Sequence, residues 1–165
     1  CRMTAFNIDH YEEFQQALPF VYEVDKVFRQ NAPDRYQKQF EFIEKTSPDF
    51  YIRNTVFTTI TVNKNFRTAV HKDAGDLKEG LGVMTVLEAG KYEGAYLVFP
   101  AFRVAVDMRT AGVCLADVHE WHGNTPIKGI GQYERISCVF YYRRNMLQCG
   151  SAEEELQKAK NKMLV

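Results

Sequence analysis

Residues that bind metals or cross-link a chain are scarce here: 165 residues include four cysteines, four histidines and one tryptophan. No CxxC pair occurs, and Cys114, Cys138 and Cys149 sit in or beside apolar segments, which argues against zinc ribbons and disulfide frameworks. The cysteines are therefore expected as buried free thiols in a reducing compartment. Excess charge is absent as well, with 21 basic against 21 acidic residues. Binding of nucleic acid by overall charge is excluded, and any such site must be local. No apolar run approaches the roughly 18 residues of a membrane span, and the start CRMTAFNIDHYEEF has neither an initiator Met nor a signal-peptide core. A soluble intracellular protein is expected, in the cytoplasm of a prokaryotic or phage-infected cell or in a eukaryotic nucleus, either whole or as part of a longer chain.

What is present suits one globular domain over residues 1–165: 45% hydrophobic and 13% aromatic residues give ample material for a core. Residues 1–48 read as helical. HYEEFQQALPFVYEVDKVFRQ and DRYQKQFEFIEK place apolar residues three and four apart, with Pro19 expected to interrupt the first stretch and NAPD to separate the two. Over residues 49–145 the pattern changes to short β-branched or aromatic runs: YIRNTVFTTITV, GVMTVLE, AYLVFP, RVAVDM, VCLADV and RISCVFYY. A last helix is expected over residues 151–163, with Ser151 and Glu154 forming a capping box. Two or three helices before seven or eight strands predict an α+β fold, helices on one face of an antiparallel sandwich or barrel. The inter-strand segments are too short for the crossover helices of a parallel sheet.

Three of the four histidines fall in the strand region, His71 in AVHKDAGD and His119 and His122 in DVHEWHGNTP. A non-haem Fe(II) centre needs two neutral imidazoles and one carboxylate on one face of the metal. His71 and Asp73 supply an HxD pair whose side chains point the same way from a strand end, with Lys72 turned away. The third ligand is His119 or His122, about fifty residues on. Arg135 opens the last apolar strand, where a guanidinium can grip a dicarboxylate bidentately with help from Ser137 two residues along the same face.

The series NFRTAVHKDAGD, GKYEGAYLVFP, RVAVDM, DVHEWHGNTP and ERISCVFYY resembles the Fe(II)- and 2-oxoglutarate-dependent dioxygenases of the TET/JBP family, nearest to compact phage, fungal and algal members. The resemblance covers roughly residues 50–150 and implies a double-stranded β-helix, or jelly roll. It implies Fe(II), 2-oxoglutarate and O2 as cofactors, and His71, Asp73 and His122 as ligands, leaving His119 behind the metal or facing DNA. Arg135, Ser137 and Arg67 would hold 2-oxoglutarate, with Asn54 a weaker match. Gly94-Ala95-Tyr96 departs from a Gly-Gly pair in many relatives, at a tight loop near the base pocket.

The implied partner is DNA with a flipped 5-methylpyrimidine, and the implied reaction is oxidation of 5-methylcytosine to 5-hydroxymethylcytosine or beyond. Thymine is the close alternative, and a non-DNA substrate a further one. Asp76, His119 and Asn124 are the candidates to read the base edge, Asp76 equally a residue that stabilises its own turn. Asp117 and Trp121 flank the distal histidine, where they orient it or, for Trp121, pack in the core. Lys64, Lys72, Arg143 and Arg144 are local basic residues for phosphates, and Lys158, Lys160 and Lys162 line the last helix as a solvated face or a DNA contact. A monomer is expected.

Overall fold

The computed structural model describes residues 4–162. The chain starts with α1 (Ala5–Asp9), α2 (Tyr11–Asn31) and α3 (Pro33–Ile43). Seven strands follow: β1 (Thr59–Lys64), β2 (Gly82–Gly94), β3 (Leu97–Phe99), β4 (Val104–Val106), β5 (Val113–Ala116), β6 (Gly123–Asn124) and β7 (Ile127–Tyr141). They form an antiparallel four-stranded sheet in the order β1-β7-β2-β5 and a three-stranded sheet in the order β4-β3-β6. The sequence of a helical start and a strand-rich remainder is as expected. The chain closes with α4 (Ala152–Lys162), whose cap is reciprocal: Glu154 N–H donates to Ser151 Oγ (3.2 Å) and Ser151 N–H to the Glu154 carboxylate (2.7 Å). Met163, assigned to this helix from sequence, lies outside the described residues.

Three local expectations need correction. Pro19 does not interrupt α2, which runs through it. Both Pro19 and Gln15, whose carbonyl loses its N–H donor, are exposed, so water supplies the missing bond. The run from Tyr51 to Thr58 forms turns rather than a strand, and pairing begins at Thr59. Cys114 and Cys138 are free thiols as expected, whereas Cys149 is disulfide-bonded.

β7 shows how the sequence divides the interior. Cys138, Phe140 and Tyr142 face a core that includes Val21, Val24 and Phe28 of α2, while Arg135, Ser137, Val139 and Tyr141 line a cavity on the opposite face. Alternation at a period of two thus assigns one face to the helices and the other to the site. Phe28, Phe57 and Phe140 are fully buried, and Phe57 meets Phe140 at 5.4 Å between ring centroids. Each such side chain contributes about 1.5–3 kcal/mol of apolar burial. Asp25 ties α2 to its surroundings by accepting Val56 N–H and Tyr36 O–H, both at 2.8 Å. Burial pushes its carboxyl upward against the pull of these two donors.

Candidate active site

His71 and His122 are directly opposed across a short antiparallel bridge, each backbone N–H donating to the other's carbonyl at 2.8 and 3.0 Å. Gly123 makes this approach possible, because a Cβ there would stand 2.8 Å from the Val70 backbone. Asp73 N–H donates to Val118 O at 2.9 Å and fixes the second half of the HxD motif on the same frame.

His71 Nδ1 lies 2.8 Å from Ala69 O and His122 Nδ1 lies 2.9 Å from Glu120 O. A carbonyl only accepts, so each ring carries its proton on Nδ1 and presents the Nε2 lone pair. Those Nε2 atoms face Asp73 carboxylate oxygens at 3.3 and 3.6 Å. One ligand atom from each of the three lies within 4.8 Å of the others. Two imidazoles presenting Nε2 and one carboxylate are the donor set that fits a divalent iron ion.

The cluster opens into a cavity of about 260 Å³, also lined by Asp76, Asn124, Arg135 and Ser137. Arg135 is 2% exposed, and its Nε is a buried donor without a hydrogen-bond partner. A buried guanidinium with an unmet N–H favours an anion in the cavity, and a carboxylate matches its planar fork. Asn65, which sequence reasoning passed over, holds this residue in place. Its Oδ1 accepts Arg135 N–H at 2.7 Å, and its own N–H donates to Arg135 O at 2.8 Å. The residue sits in the left-handed region, φ +50°, which Asn tolerates at modest cost. Tyr141 and Phe66 are the aromatic side chains in the lining and were likewise not singled out. For Tyr141 the signal was available, because it continues the odd-numbered face of Arg135 and Ser137.

Not every expected residue reaches the cavity. Arg67 is exposed, and its Nε donates to Asn124 O at 3.3 Å, so its contact is with the end of β6. Asn54 lines a separate cleft, in a left-handed turn residue at φ +62°. His119 lies outside the cavity lining, its Nδ1 3.0 Å from Asp117 Oδ1. Asp117 therefore orients His119 and not His122, whose partner is a backbone carbonyl. Burial opposes the Asp117 charge, but the amide and ring of His119 prevail and hold its carboxyl below the usual range. Trp121 is 49% exposed, so it is neither core nor an orienting group; Lys72 Nζ stands 5.6 Å over its ring.

Asp76 does line the cavity, and Asn124 reaches it with Nδ2 donating to Ala95 O at 3.3 Å, which leaves Oδ1 as an acceptor. Burial, then the nearby Asp73 charge, pushes Asp76 up to about 7, against His119 and Arg143. Ala95, the departure from a glycine pair, is buried at φ +59°, a left-handed conformation that costs a non-glycine residue about 1–2 kcal/mol.

A jelly roll that encloses a two-histidine, one-carboxylate cluster beside a buried arginine has the layout of the Fe(II)- and 2-oxoglutarate-dependent oxygenases. The family model described as the oxygenase domain of the 2OGFeDO superfamily, Tet_JBP, matches residues 1–144, and the chain belongs to this TET/JBP family. It is 36% identical over 166 residues to the bifunctional helicase and thymine dioxygenase JBP2 of Trypanosoma brucei brucei, covering 99% of this chain and 15% of that protein. Thymine dioxygenase JBP1 of Leishmania braziliensis is 35% identical over 166 residues, covering 96% and 20%. The chain thus spans at most about a fifth of these relatives' length. Among solved structures, NgTET1 in complex with 5mC DNA has the same fold, with a TM-score of 0.70 at 15% identity over 96% of this chain and 63% of that one.

Proposed function

We propose that this chain oxidises the 5-methyl group of a pyrimidine in DNA, with His71, Asp73 and His122 holding Fe(II) and Arg135 and Ser137 holding the far carboxylate of 2-oxoglutarate. The observation that carries this reading is the shared cavity: the metal-fit cluster and the buried Arg135, whose Nε lacks a hydrogen-bond partner, line the same space. With O2, the iron and its cosubstrate supply the oxidising power for a methyl C–H, and 2-oxoglutarate leaves as succinate and CO2.

The chain's own residues do the rest. The backbone acceptors on Nδ1 leave Nε2 of both imidazoles for the metal and fix the ring angles. Arg135 orients the cosubstrate from the far end, a bidentate task that a lysine point charge performs poorly. Met84, Val86, Leu97 and Met108 line the cavity with apolar surface and limit water around the reacting carbon. A methyl group stacked in a duplex cannot enter this space, so the nucleotide is flipped out and its ring meets Phe66 and Tyr141.

The base edge decides the substrate. Asn124 Oδ1 is an acceptor, and an acceptor suits the C4 amino group of 5-methylcytosine. Thymine is the second reading, favoured by the names of relatives at 36% and 35% identity. Incubating the protein with Fe(II), 2-oxoglutarate and matched duplexes, followed by nucleoside mass spectrometry, separates the two. We expect 5-hydroxymethylcytosine from the methylated duplex. 5-Hydroxymethyluracil alone would transfer the assignment to thymine, and no oxidised base from either duplex would remove DNA as substrate.

A further inference from the structure

A second cleft of about 740 Å³ lies between α1, α2, the turns of residues 48–59 and the start of α4. It borders the same strand segment as the active-site cavity, with no lining residue in common. Thr61 and Tyr141 line the cavity, while Thr59 and Arg143 line the cleft. Two residue steps of extended chain separate Tyr141 from Arg143, about 7 Å. Arg143 also forms an antiparallel bridge with Asp76, which lines the cavity.

The charged side chains lining the cleft are Arg53, Arg143 and Asp49, and Asp49 Oδ2 accepts Ala152 N–H at 2.9 Å. Lys64 is paired with Glu134, and Lys72 stands over Trp121. Arg53 and Arg143, both exposed and both lining the cleft, have no ion pair among the described residues. Tyr11, 60% exposed, lines the same space. Unpaired guanidiniums suit phosphates, and an exposed tyrosine face suits an unstacked base.

We propose that this cleft holds the stretch of DNA strand adjoining the flipped nucleotide, with phosphates on Arg53 and Arg143 and a neighbouring base against Tyr11. The proposal rests on the DNA-oxidising reading above. It gives a neutral chain a local nucleic-acid site, and it makes Asn54 part of a strand-binding turn. A protein or small-molecule occupant would leave DNA affinity independent of these side chains.

The test uses the 165-residue protein and a fluorescein-labelled duplex carrying one 5-methylcytosine, with binding followed by anisotropy across a salt titration. Arg53→Gln and Arg143→Gln should each weaken binding about fivefold and lower the slope of log K against log salt by about 1, as expected for one lost phosphate contact. Tyr11→Ala should weaken a single-stranded oligonucleotide about fivefold with no change of slope. Lys91→Gln, on the distant β2–β7 hairpin, should change neither. Fe(II) affinity and the melting temperature should stay at wild-type values in all four variants, which excludes unfolding as the cause. If the arginine variants keep the wild-type slope, or lose no more than Lys91→Gln, the cleft assignment is wrong while the DNA reading stands. If the wild-type protein binds no duplex or single strand, the DNA reading itself fails.

Discussion

At the scale of single residues, the distal ligand is the sharpest distinction. His122 is 5% exposed and faces Asp73 Oδ2 at 3.6 Å, whereas the His119 ring is turned to Asp117. His122→Ala should abolish turnover and lower Fe(II) affinity by at least tenfold in anaerobic calorimetry, and His119→Ala should keep the wild-type affinity. The opposite ranking would exchange their roles. A second prediction concerns Asn65, which touches Arg135 only through its backbone. Asn65→Gly keeps the left-handed turn but leaves the Arg135 N–H without its acceptor, a loss of about 1–3 kcal/mol at a buried site. 2-Oxoglutarate affinity should fall about tenfold with Fe(II) affinity unchanged, and Asn65→Asp, which restores the acceptor, should recover it. Equal loss of both ligands would make Asn65 a general structural residue. The metal cluster was legible in sequence because HxD and HGNTP are local motifs whose chemistry follows from residue type. Asn65 was not, since its role lies in a hydrogen bond to a residue 70 positions away. Arg67 and Asn54 came from family resemblance alone, and neither lines the cavity: Arg67 donates to Asn124 O and Asn54 borders the separate cleft.

Among the elements, periodicity carried most of the information. The i, i+3, i+4 spacing of Leu18, Val21, Val24 and Phe28 identified the buried stripe of α2, and Ser151 with Glu154 marked the start of α4. Pro19 and the Tyr51–Thr58 run were misread because local propensity was overridden, in one case by an exposed helix face and in the other by packing of Ile52, Val56 and Phe57 into the core as turns. Asp25 joins three of these pieces, and its titration is testable. Its pKa is raised in the folded state, so the native protein holds that proton more tightly than the unfolded chain. Stability from this group is therefore greatest in acid and falls as pH rises from the ordinary carboxylate range through the raised value. Asp25→Asn keeps an acceptor for Val56 and a partner for Tyr36 without the charge. The difference in unfolding free energy, variant minus wild type, should rise across that window in urea titrations at successive pH values. A flat difference would mean that burial imposes no net cost on the Asp25 charge.

At the scale of the whole molecule, the site joins parts of the chain that sequence separates widely. His71 and Asp73 precede β2, whereas His122 adjoins β6, and Arg135 enters from β7. Ligands held by these three segments bind the native state and have no comparable site in the unfolded chain, so they stabilise the fold by linkage. At a ligand concentration 100 times its dissociation constant, the gain is about 2.7 kcal/mol. For a chain of this size that corresponds to a rise in melting temperature of roughly 5–10 °C. Mn(II), a redox-inert stand-in for Fe(II), should produce the first rise on its own. 2-Oxoglutarate should add a further rise when the metal is present and much less without it, because its near end needs the ion and its far end needs Arg135. Arg135→Lys should keep the metal increment and lose most of the second, while Asp73→Ala should lose both. The order of additions distinguishes this from non-specific anion binding, which would raise the melting temperature with 2-oxoglutarate alone, with succinate equally, and in the Asp73→Ala protein as well. That last pattern in a thermal melt would separate Arg135 from the metal cluster and leave the cavity as two unrelated sites.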